Sequence, residues 1–568
     1  MFQRIIECVP NFSEGRDKAV IRRITAAIEA SGGVKLLDVD PGEATNRTVV
    51  TFVGSPEAVV EAAFAGVKRA AELIDMRRHK GAHPRMGATD VLPLIPIAGV
   101  TLAECACLAR ALARRIADEL HIPTYCYEAA AFAPERKNLA VCRAGEYEAL
   151  PEKLAHTESA PDFGTRPFDE GVARTGATTV GARDFLIAVN FNLNTTSTRR
   201  ANAIAFDVRE KGRPVREGNP ITGRVVKDAA GNPVMQPGTL PATKAIGWFI
   251  EEYGIAQVSM NITDIARTPL HAAFDEVCRK ADARGVRVTG TEIVGLVPKR
   301  ALVEAGKYFL RKQRRSTGIA EEEIVRIAVK SMGLDDLKPF DPAEKVIEYL
   351  LEAEVPKKRF IDMTCKGFAE ETASESPAPG GGSIAAYMGA LGAALGTMVA
   401  NLSSHKAGWD DRWEEFSDWA ERGQAVLSEL LHLVDEDTAA FNRIMAVFAM
   451  PKSTDEEKAA RSAALQEATL YATEVPLRTM KAASRVFEIV RAMASEGNPN
   501  SVSDAGVGAL AARSAVLGAC LNVKINAAGL KDRARADALV AEADALAAEA
   551  RRLEAEVLNI VERKIQAI

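Results

Sequence analysis

The chain has 568 residues, 47% of them hydrophobic and 26% charged, enough for roughly three or four domains at the usual 100–200 residues each. Its 72 basic and 77 acidic residues leave a net charge of −5. That excludes a global basic field for nucleic acid or an anionic membrane, so any anionic ligand must be held locally. Of eight cysteines only Cys105 and Cys107 stand close together, a pattern of reduced thiols rather than of a disulfide framework or a zinc site, and no metal is expected.

The first residues, MFQRIIECVPNFSEG, lack the basic start, long apolar core and cleavage site of a signal peptide, and the expected location is cytoplasmic. Apolar β-rich runs and helical periods then alternate. Residues 4–9 read as a strand, 17–30 as a helix, 34–39 and 47–53 as strands, 56–74 as a helix and 91–97 as a strand. That order is βαββαβ, the ferredoxin-like unit; a helix over 101–119 and a short strand around Tyr125 extend it. The order recurs with strand 185–190, helix 197–210, strands 245–250 and 257–262, helix 270–284 and strand 286–297. The opening strands even resemble each other, IIECVPNFS beside FLIAVNFNL. Two α/β subdomains follow, over 1–180 and 181–335, with a cleft between them as the expected ligand site.

Residues 211–243, rich in Gly, Pro and basic side chains, with GNP at 218–220 and 231–233, read as a surface hairpin insertion. Helical segments run on to about Leu351, and 336–376 is expected to be a linker, its stretch from Glu352 charged and irregular. Beyond it the β signal ends. Residues 383–402, 411–448, 454–494, 503–527 and 531–566 read as helices, so 377–568 is expected to form an antiparallel helical bundle. The fold class is therefore α/β followed by all-α. Residues 384–404 carry no charge, are long enough to span a bilayer and include the pair Gly392 and Gly396. Their Ala, Gly, Ser and Asn content favours a buried bundle helix.

Several polar constellations could carry chemistry. Arg77-Arg78-His79-Lys80-Gly81-Ala82-His83-Pro84-Arg85-Met86-Gly87 puts two histidines and four flanking cations in one loop, able to bind an anion and move protons near neutral pH, or simply a solvated basic loop. Asn11-Phe12-Ser13-Glu14-Gly15 and Thr45-Asn46-Arg47-Thr48 fit turn and capping chemistry or the lining of a cleft. Residues 162–176 join the α/β units, as a linker or as a cover over the cleft. Pro377-Ala378-Pro379-Gly380-Gly381-Gly382-Ser383 opens a helix whose N-terminus favours anionic groups, or is a close-packing turn.

Leu427, Leu430, Val434, Asp437, Phe441, Ile444 and Phe448 fall at alternating spacings of three and four, which puts Asp437 on an apolar helix face while Asp435 and Glu436 point elsewhere. A carboxyl there is either a polar-paired structural group or a general acid or base of raised pKa. Asp504, in the loop Gly497-Asn498-Pro499-Asn500-Ser501-Val502-Ser503-Asp504, suits a helix start or a site near Asp437.

With these motifs in hand, the first 335 residues resemble glutamate formimidoyltransferases, through ECVPNFSEG, LLDVD, TNRTV, HKGAHPRMGATD, RAGEYEAL, PDFG and IVGLVP. Residues 360–568 resemble formimidoyltetrahydrofolate cyclodeaminases and the related methenyltetrahydrofolate cyclohydrolases, through PAPGGGS, LVDEDTAAF, PKSTDEEKAAR and GNPNSVSDAG. Fused in this order they resemble the bifunctional formimidoyltransferase-cyclodeaminases. The resemblance implies transfer of a formimino group from N-formimino-glutamate to tetrahydrofolate in histidine breakdown, then closure of 5-formiminotetrahydrofolate to 5,10-methenyltetrahydrofolate with loss of ammonia. It assigns His83 and Asp437 as the catalytic residues and Gly164 to Gly176 as a folate-contacting loop; Gly380, Gly381, Gly382 and Asp504 are candidates for the second site from their own chemistry. Arg47, Lys80 and Arg85, chosen on charge and position, are candidates for holding substrate carboxylates. Tetrahydrofolate, polyglutamylated in this family, is implied as co-substrate, and a homo-oligomer is implied because relatives form rings of dimers. Two other readings stand beside this one: a transferase fused to a methenyl cyclohydrolase, and a folate-binding scaffold without turnover.

Overall fold

The computed structural model describes residues 4–42, 46–80, 85–218, 223–353 and 359–567. The chain forms two compact units. One runs to Ala301 and takes in residues from Met332; the other holds Leu302–Ser331 and the chain from Arg359 onward. The first is a mixed α/β region and the second is helical.

In the first unit, β1 (Ile5–Cys8), β2 (Asn11–Phe12), β3 (Val34–Gly42), β4 (Arg47–Gly54), β5 (Thr89–Ala98), β6 (Thr124–Glu128) and β7 (Thr178–Ala182) make one seven-stranded sheet. β1 lies between β4 and β5, antiparallel to both, with Cys8 opposite Phe52 on one side and Leu94 on the other. β3 pairs with β4, while β7 runs parallel to β5 and β6 parallel to β7. Helices α1 (Lys18–Ala30), α2 (Pro56–Leu73) and α3 (Leu102–Leu120) cover one face. Each starts on a side chain that satisfies its free amides: Asp17 accepts from Ala19 N, Ser55 from Ala58 N, and Thr101 forms a capping box with Glu104. Strand alternation then sorts the core. Leu92, Leu94 and Cys126 pack toward these helices with Ile24, Val67 and Ile116, while Val91, Tyr125 and Tyr127 face a second cluster with Met86, Cys142 and Leu150. β7 was not expected; its five residues, TTVGA, lie where only a connection was read.

The second sheet has four antiparallel strands, β8 (Ile187–Leu193), β11 (Thr243–Ile250), β12 (Ile255–Ile262) and β13 (Val288–Val294), in the order β11-β12-β8-β13. Val258 is opposite Phe191, and Thr291 opposite Phe191 on the other side. The helix Thr198–Val208 lies so close to β11 that a β-carbon on Gly247 would collide with Asn202 N. Between that helix and β11, the inserted segment forms a short pair, β9 (Arg213–Pro214) with β10 (Met235–Gln236); Asn219 and Pro220 of its first GNP lie outside the described residues.

In the helical unit the uncharged helix Gly381–Ser404 packs against Trp413–Phe448, Asp455–Glu496 and Val502–Ala527. Its small residues make this possible: Gly389 faces Leu430, Ala483 and Ala515, and Gly392 faces the backbone of Gly508. Gly381–Ser404 and Pro499–Ala527 are each long and apolar enough to cross a membrane, yet 61% and 50% of their apolar windows are buried within the protein. Residues 302–331, read above as the end of the second α/β subdomain, are tied to this unit. Lys307 and Arg311 pair with Glu421 at 3.1 and 3.3 Å, Ser417 Oγ accepts from Thr317 N, and Asn401 donates to Gly318 O. The stretch read as a linker is divided, its part from Met332 belonging to the first unit and the helix Cys365–Thr372 to the second.

Candidate functional sites

In the first unit, three of the sequence constellations meet. Asn46, in a left-handed backbone conformation at φ 50°, accepts from Gly15 N at 3.0 Å and donates to Lys80 O at 3.0 Å. His79 Nε2 donates to Asn46 O at 2.8 Å; a carbonyl only accepts, so the proton sits on Nε2 and Nδ1 is left to accept from Arg85 Nε at 3.4 Å. Ser13 Oγ donates to Gly87 O. The turn after β1, the start of β4 and the basic loop are thus bolted together. His83 itself, with Gly81, Ala82 and Pro84, lies outside the described residues, as does Thr45.

Beyond the basic loop, Asp90 is buried and anchors two things at once. Its Oδ1 accepts from Met86 N at 2.9 Å and its Oδ2 from Arg143 at 2.8 Å. Burial pushes its carboxyl above the usual range, against the pull of Arg143. Arg143 and Arg47 in turn line a cavity of about 710 Å³ with Val9, Asn11, Val91 and Tyr127 from the first sheet and Lys244, Thr263, Asp264 and Arg267 from the second. A cavity of that size is within the roughly 300–1,000 Å³ that enclose small-molecule ligands, and Arg47, Arg143, Arg183, Lys244 and Arg267 line it together with the carboxylates of Glu128, Asp184, Glu210 and Asp264.

The other residues chosen for this site are placed differently. Arg85 is bound by Glu148 through two bonds of 2.7 and 2.8 Å and by Glu146 at 3.1 Å, so its charge is matched within the protein. Lys80 is exposed and held by its backbone. Gly176, at φ 68°, abuts Met86 so closely that a β-carbon would collide with its carbonyl. Gly164 instead packs on Ala117 and the turn at Ile122 and does not line the cavity. Sequence reasoning passed over Asp90 and Arg143, although both lie in quoted motifs, GATD and RAGEYEAL.

In the helical unit Asp437 sits against the start of the helix Gly381–Ser404. Its Oδ2 accepts from Ser383 Oγ at 3.2 Å, and the Ser383 backbone also bonds it. A β-carbon on Gly382 would collide with Oδ1, so only glycine lets the carboxylate reach the helix end. Burial raises the Asp437 pKa, and the Ser383 bonds oppose that rise. Asp435 and Glu436 do point away, the first accepting from Phe360 N at 2.8 Å and the second lying 3.5 Å from Arg478.

The apolar stripe around Asp437 is only half buried. Leu430 and Val434 are in the core, but Phe441 and Phe448 are 37% and 53% exposed, so Asp437 stands where the helix leaves the core. There it lines a cavity of about 150 Å³ with Gly380, Gly381, Gly382, Thr438, Phe441, Asn522 and Asn526. Asp504 is not part of it. The helix Val502–Ala527 is continuous, and 18 residues at 1.5 Å per residue put Asp504 about 27 Å along the axis from Asn522. Asn522 and Asn526 were missed; the signal was NVKIN, two asparagines one turn apart on one helix face. Among the described residues no group of three His, Cys, Asp or Glu side chains is placed to hold a metal.

The sequence matches the family models described as formiminotransferase domain, N-terminal subdomain, over residues 5–183, formiminotransferase domain over 188–352, and formiminotransferase-cyclodeaminase over 364–545. It is 43% identical to the formimidoyltransferase-cyclodeaminase of Rattus norvegicus over 529 residues, 93% of each chain. It is 41% identical over 308 residues to the glutamate formimidoyltransferase of Streptococcus pyogenes, covering 54% of this chain and 94% of that one. Over 179 residues it is 40% identical to the methenyltetrahydrofolate cyclohydrolase of Methylorubrum extorquens, 32% of this chain and 86% of that one.

Proposed function

Because the chain belongs to the formimidoyltransferase-cyclodeaminase family, we propose that it moves a formimino group from N-formimino-glutamate to N5 of tetrahydrofolate and then closes the product to 5,10-methenyltetrahydrofolate, releasing ammonia. The likeness runs through both units, and the cavities described above supply one site for each step.

In the first step N5 of tetrahydrofolate attacks the formimino carbon and loses its proton, while the glutamate nitrogen leaves and gains one. The His83 imidazole carries that proton. Arg47 and Arg143, which line the large cavity, supply charge for substrate carboxylates. In the second step N10 attacks the carbon of the protonated amidine, the N10 proton passes to the terminal nitrogen, and the bond to that nitrogen breaks, its electrons leaving with ammonia. Asp437 takes the N10 proton and returns it to the departing amine. The observation that carries this assignment is Asp437 in a small cavity against a glycine-opened helix start, with burial raising its pKa above the ordinary carboxylate value and the Ser383 bonds opposing that rise.

The finer architecture belongs to the same proposal. The βαββαβ order with each opening strand central in its sheet supports two ferredoxin-like subdomains, the first closing at Ala182 and the second running from Ile187 to Val294, and the helices beyond 377 an antiparallel bundle. A cytoplasmic homo-oligomer in histidine breakdown, using polyglutamylated tetrahydrofolate and no metal, completes the reading.

The test is to mix the purified chain with N-formimino-glutamate and tetrahydrofolate and to follow methenyltetrahydrofolate absorbance and ammonia together. Wild type yields both; His83→Ala fails at transfer, and Asp437→Ala accumulates 5-formiminotetrahydrofolate. Transfer without ammonia would instead favour the fused cyclohydrolase, which the 40% identity to the Methylorubrum extorquens protein supports. Folate binding without turnover would favour a scaffold.

A further inference from the structure

Asn522 and Asn526 share the small cavity with Asp437. Four residues apart, they lie on one face of their helix. Asn522 Nδ2 donates to Gly518 O at 3.0 Å and Asn526 Nδ2 to Ala472 O at 2.7 Å. Backbone carbonyls only accept, so these bonds fix which way each carboxamide is turned: one N–H of each NH₂ is spent on the helices and the Oδ1 atoms are left over. Neither Oδ1 has a hydrogen-bond partner among the described residues, and both side chains are half-buried.

The cavity wall therefore offers acceptors. Asp437 contributes a carboxylate, the two asparagines an oxygen each, and the Ser383 hydroxyl is already engaged with Val434 O and Asp437. No lysine or arginine lines the cavity among the described residues; Phe441 and Ile444 complete it. Its volume, about 150 Å³, is below the roughly 300 Å³ at which pockets begin to enclose whole small molecules, so it takes a fragment. A small pocket that presents three side-chain oxygens, beside the Thr438 hydroxyl and the glycine amides of the helix start, suits a compact group rich in N–H donors.

We propose that Asn522 and Asn526, with Asp437, form a three-acceptor cradle for the terminal nitrogen of the substrate's amidine as it departs. This rests on the cyclodeaminase reading above. The amidinium nitrogen starts with two hydrogens; the proton brought by Asp437 gives it a third before the C–N bond breaks, and the bonding electrons leave with it as ammonia while N5 and N10 share the methenyl charge. Three acceptors match the nitrogen at its most protonated point, so they bind the late transition state better than the substrate. They also select a nitrogen leaving group over an oxygen one, which presents fewer donors.

The experiment supplies 5-formiminotetrahydrofolate to the full chain and measures ammonia release, with ammonium chloride as a product inhibitor. Asn526→Leu removes one acceptor. Asn522→Ser removes the other while keeping the helix bond, since a serine on this helix, Ser514, already donates to Leu510 O at 2.9 Å. Each variant is expected to lose about 10- to 100-fold in kcat with KM within about threefold, and to need at least tenfold more ammonium for half-inhibition. A purely structural role would leave ammonium inhibition unmoved. If wild type releases ammonia and both variants keep their rate and their ammonium sensitivity, the cradle is overturned and the cyclodeaminase reading stands. If wild type releases none, both fall together.

Discussion

The cavity of the first unit holds about 710 Å³ and is walled by strand ends and loops spread from Val9 to Arg267, whereas the cavity beside Asp437 holds about 150 Å³ and is walled by three helices and a glycine turn. The first is lined by five cations and four carboxylates; the second has no cation and the single carboxylate of Asp437 among its described residues. On the proposed reading the difference follows from what each must hold. Transfer brings together two molecules that both carry carboxylates, so it needs room and positive charge. Cyclisation acts within one molecule and expels a small nitrogen, so it needs a proton carrier and acceptors. Construction differs too: the large cavity depends on hydrogen bonds that tie distant loops, while the small one depends on the absence of a side chain at Gly382.

That contrast can be broken from either side. Asp90→Ala removes the acceptor of Met86 N and leaves the Arg143 guanidinium, mostly buried, without its carboxylate. Loss of one partner of a buried pair costs about 3–5 kcal/mol. The expected result is an early unfolding transition in denaturant together with loss of formimino transfer, while ammonia release from supplied 5-formiminotetrahydrofolate persists. Equal loss of both activities would mean that the two sites are not independently built. Gly382→Ala is the counterpart. The new methyl collides with Asp437 Oδ1, and displacing the carboxylate from its helix end should lower ammonia release by about a thousandfold, about 4 kcal/mol of barrier, with transfer untouched. Retention of ammonia release would show that the carboxylate has another productive position.

Much of this was legible beforehand. The two βαββαβ strand and helix orders and the five long helices stand where apolar periodicity put them, because strands and helices buried on a face repeat at 2 and 3.6 residues. The strand Thr178–Ala182 was not, since a five-residue parallel strand covered on both faces leaves no alternation to read. Asp437 was found from its place among Leu430 and Val434, but the same stripe wrongly buried Phe441 and Phe448, because spacing tells which residues share a face and not where that face stops being covered. The partners of Arg85, Glu146 and Glu148, could not be read beforehand because they lie about sixty positions away. Asp504 needed only arithmetic: a continuous helix cannot bring both its ends to one cavity. Asn522 and Asn526 form no known motif, and only their bonds to Gly518 and Ala472 reveal the two spare oxygens.

The smallest expected effect concerns the central strand of the first sheet. Glu7, between Val53 and Ile95, is buried, and burial pushes its carboxyl from 4.5 up to about 7, with Arg183 pulling the other way. The folded chain therefore holds this proton more tightly than the unfolded one. The stabilisation is complete below pH 4.5 and is lost as pH rises to about 7; above that the unit carries a buried carboxylate, at a cost of at most about 3 kcal/mol by the 1.36 kcal/mol per unit relation. Glu7→Gln should flatten the stability profile between pH 4.5 and 7, measured by denaturant unfolding of the first unit, and leave ammonia release alone. Because Arg183 also lines the large cavity, a parallel change in the pH profile of transfer would show that the proton on Glu7 governs how much of the Arg183 charge reaches the substrates. An unchanged transfer profile would confine Glu7 to stability and leave the cavity's cations to set binding by themselves.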